Sequence, residues 1–430
     1  METARGWCAD TRHRHNVGCM TTTQNQKSPD ARPTTQGTSP AETTAISRRG
    51  ALRALGFGGA TVLVAGTGAL SYRVYDTAAL NPGSGPAFNP WTQWRTTPGP
   101  LGAVACAVLA ASPHNTQPWT FALTENLIEV FVDRSRGTGT VDPLRREQFV
   151  GLGCAVANLL LGADARGLVP NLQWLPDGPD GDRIATVAVG SGEAVTSPSY
   201  DAIGRRHTNR GPYTSRALPQ NLLDDIVEVN GLDGVGVQWV VDPEPRATLS
   251  QLLVDAAEAV TQDEQQSRDG FVWFRANNDE VQRYRDGLTL DGQGLSPPVL
   301  ALAKLLPASS RTEGDKFWVE QTRTVHTATA AAYGVITATT PDDRATQLDA
   351  GRLLQRIHLA ATSRGVALQH MNQITERIDR ESTTGVPATF APRFAQLLPE
   401  GELPLLTFRV GYPVRDGRRT PRRSARSVTR

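Results

Sequence analysis

Residues 110–119 read AASPHNTQPW and follow an apolar stretch, Leu101–Ala111, with the character of a helix. A helix that runs into a Pro-punctuated loop gathers Ser112, His114, Asn115 and Gln117 at one spot, a set of hydrogen-bond donors and acceptors. Trp119 is placed to wall a pocket beside them. Residues 205–213 read RRHTNRGPY. Arg205, Arg206 and Arg210, with Thr208 and Asn209 between them, make a compact anion site, because a guanidinium grips phosphate oxygens through forked, charge-assisted hydrogen bonds. Each motif alone also fits a plainer reading, a capped turn for the first and a solvated basic loop for the second. The two together weigh towards a binding site.

Other chemistries are excluded by what the chain lacks. It has no HExxH, GxSxG, P-loop or GxGxxG pattern, and the Gly-rich Gly56–Thr61 opens no βαβ unit. Four cysteines, Cys8, Cys19, Cys106 and Cys154, are too few for a disulfide scaffold and show no metal spacing. Cys106 and Cys154 sit in apolar runs and read as buried, inert thiols. His326, His358 and His370 lie on helical or apolar stretches and read as packed or surface residues, and DGPDGD at 177–182 reads as a turn rather than a calcium loop. The 430 residues carry 44 basic and 43 acidic side chains, unevenly placed. Residues 1–53 are net +4 and residues 415–430 net +6, which leaves 54–414 at −9. A body that acidic argues against nucleic acid as a partner.

The elements that must position these loops are mixed. Leu127–Val132 and Val235–Val241 alternate apolar and polar positions, and Ile184–Val189 and Leu405–Val410 are apolar runs between turn residues, so all four read as strands. Leu249–Ser267, Thr322–Thr339 and Thr346–Arg364 read as helices. No βαβ rhythm runs through them, so the fold class is α+β. One internal likeness organises the rest. GCAVANLLLGADARG at 153–167 and GRLLQRIHLAATSRG at 351–365 match at an offset of 198, with Gly153/Gly351, Leu161/Leu359, Ala163/Ala361, Arg166/Arg364 and Gly167/Gly365 identical. Two unrelated amphipathic helices fit this, and so does an internal duplication with two halves packed about a pseudo-twofold axis.

With both loops in view, the sequence resembles the nitroreductase family of FMN proteins, which carry R-R-S-x-R on the flavin phosphate and P-S-x-x-N-x-Q-P-W along the flavin. Here the second motif is S-P-H-N-T-Q-P-W, and the Arg segment follows it by about 90 residues. That order is similar to the Acg-type branch, in which two nitroreductase halves are fused in one chain around a single FMN. DPLRREQFVGLGCAVANLLL, GVALQHMNQ and LLTFRVGYP…TPRRS extend the likeness over roughly 88–424. The resemblance implies an intrachain pseudo-dimer, with a first half at 88–200 and a second at 201–414. It implies that Arg205, Arg206 and Arg210, assisted by Thr208, bind the FMN phosphate. Ser112, His114, Asn115 and Gln117 would line ribityl and ring atoms. His207 stands where the family has Ser.

Two further segments carry expectations. Residues 1–46 are polar and aperiodic and read as a disordered extension, with Met20 an alternative start. Residues 47–80 contain Ser47-Arg48-Arg49-Gly50-Ala51-Leu52-Arg53, which resembles a twin-arginine export signal, followed by the uncharged 54–70. Export of a folded protein to the cell envelope is expected, with 54–70 as a cleaved h-region or an anchor and a cut after Ala79. Residues 268–312, with Phe271, Trp273, Phe274 and several Gly/Pro breaks, are either a surface insertion or, as the resemblance implies, a lid over the flavin. Residues 415–430 are a basic tail. The functions in play are electron transfer through FMN, from NAD(P)H or another donor to a nitroaromatic or quinone-like acceptor, and flavin sequestration with little turnover. A catalytically silent interaction protein is opposed by the intact arginines.

Overall fold

The computed structural model describes residues 77–78, 81–227, 232 and 234–430. The arginine pair at 48–49, the apolar run 54–70 and Ala79 lie outside them. Among the described residues no helix is long and apolar enough to cross a membrane.

The first sheet begins after helix α1 (Gly99–Ala107), whose residues from Gly102 onward are all buried. Strand β1 (Trp119–Leu123) pairs antiparallel with β2 (Leu127–Val132), where Ile128, Val130 and Val132 face the core in strict alternation. Helix α2 (Arg146–Asp164) crosses to β3 (Leu168–Trp174) and β4 (Arg183–Ser191), and the sheet order is β1-β2-β4-β3. The Asp177–Asp182 segment is the turn between β3 and β4, where Asp177 and Asp182 hold Arg183 and Arg134.

The second part opens with β5 (Val235–Val240), α3 (Pro243–Gln262) and α4 (Glu264–Phe271). The helix read over 249–267 is thus broken at Asp263, whose carboxylate accepts from the Gln265 and Gln266 main-chain N–H groups as an N-cap. Two short parallel strands follow, β6 (Phe274–Arg275) and β7 (Leu288–Thr289), then α5 (Arg311–Gln321). The helix read over 322–339 is corrected. A π-helical turn spans Thr322–Thr327, and β8 (Ala332–Ala338) is a strand with all seven residues buried. A strand covered on both faces loses its alternation, and periodicity cannot then tell it from a helix. Helix α6 (Arg344–Ser363), β9 (Ala367–His370), α7 (Gln373–Thr384) and β10 (Leu403–Gly411) complete the part.

The second sheet runs β5-β8-β10-β9, antiparallel throughout. Numbered within its own sheet, each set of strands has the order 1-2-4-3, and in each the long helix lies between the second and third strands. These helices, α2 and α6, meet at their glycines. A Cβ on Gly153 would lie 2.0 Å from the Leu348 carbonyl oxygen, and one on Gly351 2.0 Å from that of Val150. Val150 and Leu348, like Gly153 and Gly351, are 198 positions apart, so the contact is reciprocal. Polar stitches accompany it, from Gln355 Nε2 to Asn158 Oδ1 (2.9 Å) and from Asn158 Nδ2 to the Cys106 carbonyl (3.0 Å).

The basic tail packs against the first part. Arg422 N donates to the Ala87 carbonyl (2.8 Å) and Arg430 N to that of Phe121 (2.9 Å), and the Arg430 guanidinium lies 3.8 Å from the Phe131 ring centre.

Candidate functional site

A cavity of about 1680 Å³ opens beside the α2–α6 crossing. One face of α2 forms a wall through Glu147, Val150, Gly151 and Cys154, the i, i+3, i+4, i+7 set that a helix presents on one side. Residues of α3, α4, α5 and the 288–303 segment also line it, so the lining between Glu258 and His326 extends beyond 268–312 on both sides. Of the residues named from the sequence, Ser112, His114, Asn115, Arg206, Thr208 and Arg210 line this one cavity. Arg205 does not; it is exposed on the outer side of its loop. Gln117 is buried beneath the first loop, donating to the Arg285 carbonyl (2.8 Å) and accepting from Arg423 N (2.8 Å). Trp119, read as a pocket wall, is instead fully buried in β1 within the core, because strand alternation turns it inward.

The 112–117 loop is strained. His114 (φ 45°), Asn115 (φ 56°) and Gln117 (φ 53°) are left-handed without being glycine, which costs about 1–3 kcal/mol each and persists only when surroundings impose it. Two distant segments do so. Asn115 Nδ2 donates to the carbonyls of Gly287 (3.1 Å) and Pro421 (3.0 Å), and Gly287 N returns a bond to the Asn115 carbonyl (3.2 Å). Neighbouring Asp286, 4% exposed, is held by Arg275 (2.6 Å) and by Arg136, whose Nε also donates to the Thr116 carbonyl. Residues 285–287 and the C-terminal tail are therefore the braces of the loop.

One end of the cavity is positively charged without compensation. Arg206 is 2% exposed and Arg422 3%. Arg206 reaches the Leu109 carbonyl (3.1 Å) and His358 Nδ1 (3.3 Å); Arg422 reaches the Ala110 carbonyl (3.2 Å); the Nε of each has no partner. Arg210 reaches the Gly292 carbonyl (3.2 Å). Among the described residues no carboxylate pairs with any of the three. Burial pushes Arg206 and Arg210 down to about 10, and holds Arg422 well below the ordinary value. Burial, and then the same arginines, lower His114 to about 4 and His207 and His370 to about 3, so these rings are neutral at pH 7. Buried charge of one sign costs several kcal/mol per ion unless a counter-ion sits beside it. An anionic ligand would supply that counter-ion.

The other reach is acidic. Glu147 lies seven residues, about 10 Å, along α2 from Cys154, which neighbours Arg206. Glu147 and Glu376 of α7 both open on the cavity. His326 and His370, expected from the sequence to be packed or surface residues, line the cavity, as do Arg422, Glu147 and Glu376, which carry no motif of their own. Arg422 stood inside the TPRRS segment, the one usable signal; the others become site residues only through tertiary placement.

No protein-family model matches the chain. Curated relatives do. The acg protein of Mycobacterium tuberculosis, named provisionally as an NAD(P)H nitroreductase, is 29% identical over 114 residues, 26% of this chain. The match spans 34% of that relative's length. A second protein of the same organism with the same provisional naming is 25% identical over 326 residues, covering 71% of this chain and 83% of its own. Among solved structures, a nitroreductase with bound FMN from Desulfitobacterium hafniense is 16% identical, with TM-score 0.32, over 53% of this chain and 95% of its own. An NADPH:FMN oxidoreductase from Vibrio harveyi complexed with NAD+ is 14% identical, with TM-score 0.27, over 53% and 73%.

Proposed function

We propose that the cavity holds one FMN and that the chain is a nitroreductase-type oxidoreductase, two fused halves of one fold, passing electrons from NAD(P)H to a nitroaromatic or quinone-like acceptor. The observation that carries this is the pair of buried guanidiniums, Arg206 and Arg422, with unpartnered Nε atoms and no ion-paired carboxylate among the described residues. The similarity to the two mycobacterial proteins supports the same reading. The matching 1-2-4-3 sheets and the reciprocal Gly153–Gly351 contact support the fusion.

FMN, when bound, accepts two electrons and hands them on. The chain supplies binding and orientation. Arg206 and Arg422 would neutralise the FMN phosphate, with Arg210 and Thr208 in the lining of the same cavity. Ser112, His114 and Asn115 present polar edges from a loop fixed before the ligand arrives, which lowers the ordering cost of binding. Gly151 leaves α2 bare where the loop crosses it; a Cβ there would come within 3.0 Å of the Pro113 ring. The Ser47–Arg53 segment supports export of the loaded protein in folded form.

Flavin storage is a second reading, favoured by the bracing of the 112–117 loop through Asp286, Asn115 and Gln117. Anaerobic mixing with NADPH separates the two. The enzyme reading expects the bound flavin to bleach within seconds and to be reoxidised by menadione. Storage expects it to stay oxidised in the wild type and to bleach only in Asp286→Asn, where the brace to Arg136 and Arg275 is weakened.

A further inference from the structure

The acidic reach of the cavity has chemistry of its own. Glu147 stands in the first turn of α2, and Glu376 in the first turn of α7. Glu147 is 7% exposed, and its Oε1 meets no donor. Glu376 is half-buried and opens on the cavity. The guanidiniums packed around them are, among the described residues, already engaged. Arg146 is committed to Asp379 (2.5 Å) and the Pro404 carbonyl, Arg377 to Gln266 (2.6 Å) and Asp263, and Arg344 to Gln347 (2.7 Å) and the Leu144 carbonyl. Asp142 adds another carboxylate, accepting from the Glu147 and Gln148 main-chain N–H groups, and Asn372 supports Glu147 from its side chain. Arg146 thus serves Asp379 and, with Arg344, Asp142, which leaves Glu147 and Glu376 without a guanidinium of their own among the described residues. Helix N-termini favour anions, but that effect is modest beside two carboxylates ionising together out of water.

A second feature of the same cavity, beside Arg210, points to a ligand. His326 is 2% exposed and lines the cavity, and neither ring nitrogen makes a normal hydrogen bond, although the Arg210 main chain faces the ring. It stands in the π-helical turn, a local irregularity common at functional sites. Arg409, buried in β10, fixes that turn by donating to the His326 carbonyl (2.9 Å) and, more weakly, to that of Val325.

We propose that Glu147 and Glu376 share one proton at neutral pH and form the proton-donating site of the cavity towards the second substrate, a small oxidised aromatic compound whose oxygen they hydrogen-bond. This rests on the flavin reading. A quinone becomes a hydroquinone by gaining a hydride, here from reduced flavin, and one proton. That proton leaves a carboxyl O–H, an O–H bond forms on the substrate, and the carboxylate left behind recovers a proton from water. The electrostatics agree with a retained proton: burial, then the charges of Glu376 and Asp142, hold Glu147 well above the carboxylate range, and Glu376 is pushed up to about 8 by burial first, with Asp142 and Asp379 adding to it against a hydrogen bond with Glu147 that lowers it.

The sign of the linkage gives a test that needs no flavin. Between the ordinary value of 4.5 and about 8 the folded chain binds more protons at Glu376 than the unfolded chain, so stability falls as pH rises through that window. Glu376→Gln is expected to melt with the wild type near pH 4.5 and above it, by on the order of 3 °C or more, past pH 8. With FMN loaded and reduced, Glu147→Gln and Glu376→Gln are expected to lower kcat for menadione at least tenfold with little change in KM. The wild-type kcat should decline as the pair loses its proton. Gln variants that track the wild-type melting curve at every pH would overturn the shared proton, and unchanged menadione kcat in both would overturn the donor role. A protein that takes up no FMN would overturn the cofactor reading itself, and with it the donor step.

Discussion

Arg206→Ala is expected to bind FMN ten- to hundred-fold more weakly than the wild type, a loss of about 1.5–3 kcal/mol for one charge-assisted phosphate contact. Its unliganded form is expected to be no less stable. In the empty cavity Arg206 is an unpaired buried charge, so its removal relieves desolvation even as the Leu109 carbonyl and His358 lose a partner. Arg205→Ala is the matched comparison, because Arg205 belongs to the same basic loop but is exposed outside the cavity. Fluorescence titration should leave its FMN affinity within about threefold of wild type, as expected for a screened surface charge. Equal losses in the two variants would mean that the loop acts through general basicity rather than through one placed guanidinium.

Gly351→Val is expected to have the largest effect on folding. The added Cβ would meet the Val150 carbonyl at 2.0 Å, and the obstacle is helix main chain, which cannot rotate aside. The two central helices must separate, and overpacking of this kind costs about 1–3 kcal/mol or more. Gly153→Val should do the same from the other side, against the Leu348 carbonyl. Gly190→Ala on β4 has only Val169 at 3.9 Å and should change stability by less than about 0.5 kcal/mol. Thermal melts of the three variants decide this. A Gly351→Val protein that melts with the wild type would contradict the close crossing of α2 and α6.

Much of this arrangement was legible in the chain because its signals are local. The alternation in LIEVFV marks β2 to the residue, and the glycine-led repeat at offset 198 marks the two helices that cross. The spacing of SPHNTQPW and RRHTNR picked out loops that do converge, since six of the eight named residues line one cavity. What was not legible depended on burial. AYGVITA lies between neighbours on both faces and shows no period, so β8 was read as helix. Arg205 and Arg206 are adjacent and chemically identical; only the backbone turning between them makes one exposed and the other buried. Glu147 has the composition of an ordinary helix first turn, and it becomes a buried acid only because the fold brings Glu376 of α7 and Asp142 near it.

The central claim is that the uncompensated guanidiniums of Arg206 and Arg422 exist to hold the phosphate of a flavin. Comparing FMN with riboflavin tests this most directly, because the two differ only in that phosphate. The measurement is a pair of fluorescence titrations of the same unliganded protein at one ionic strength. The expected result is one FMN per chain, bound at least about a hundredfold more tightly than riboflavin, since two charge-assisted contacts are lost together. Equal affinity for the two flavins, or no binding of either, would contradict it.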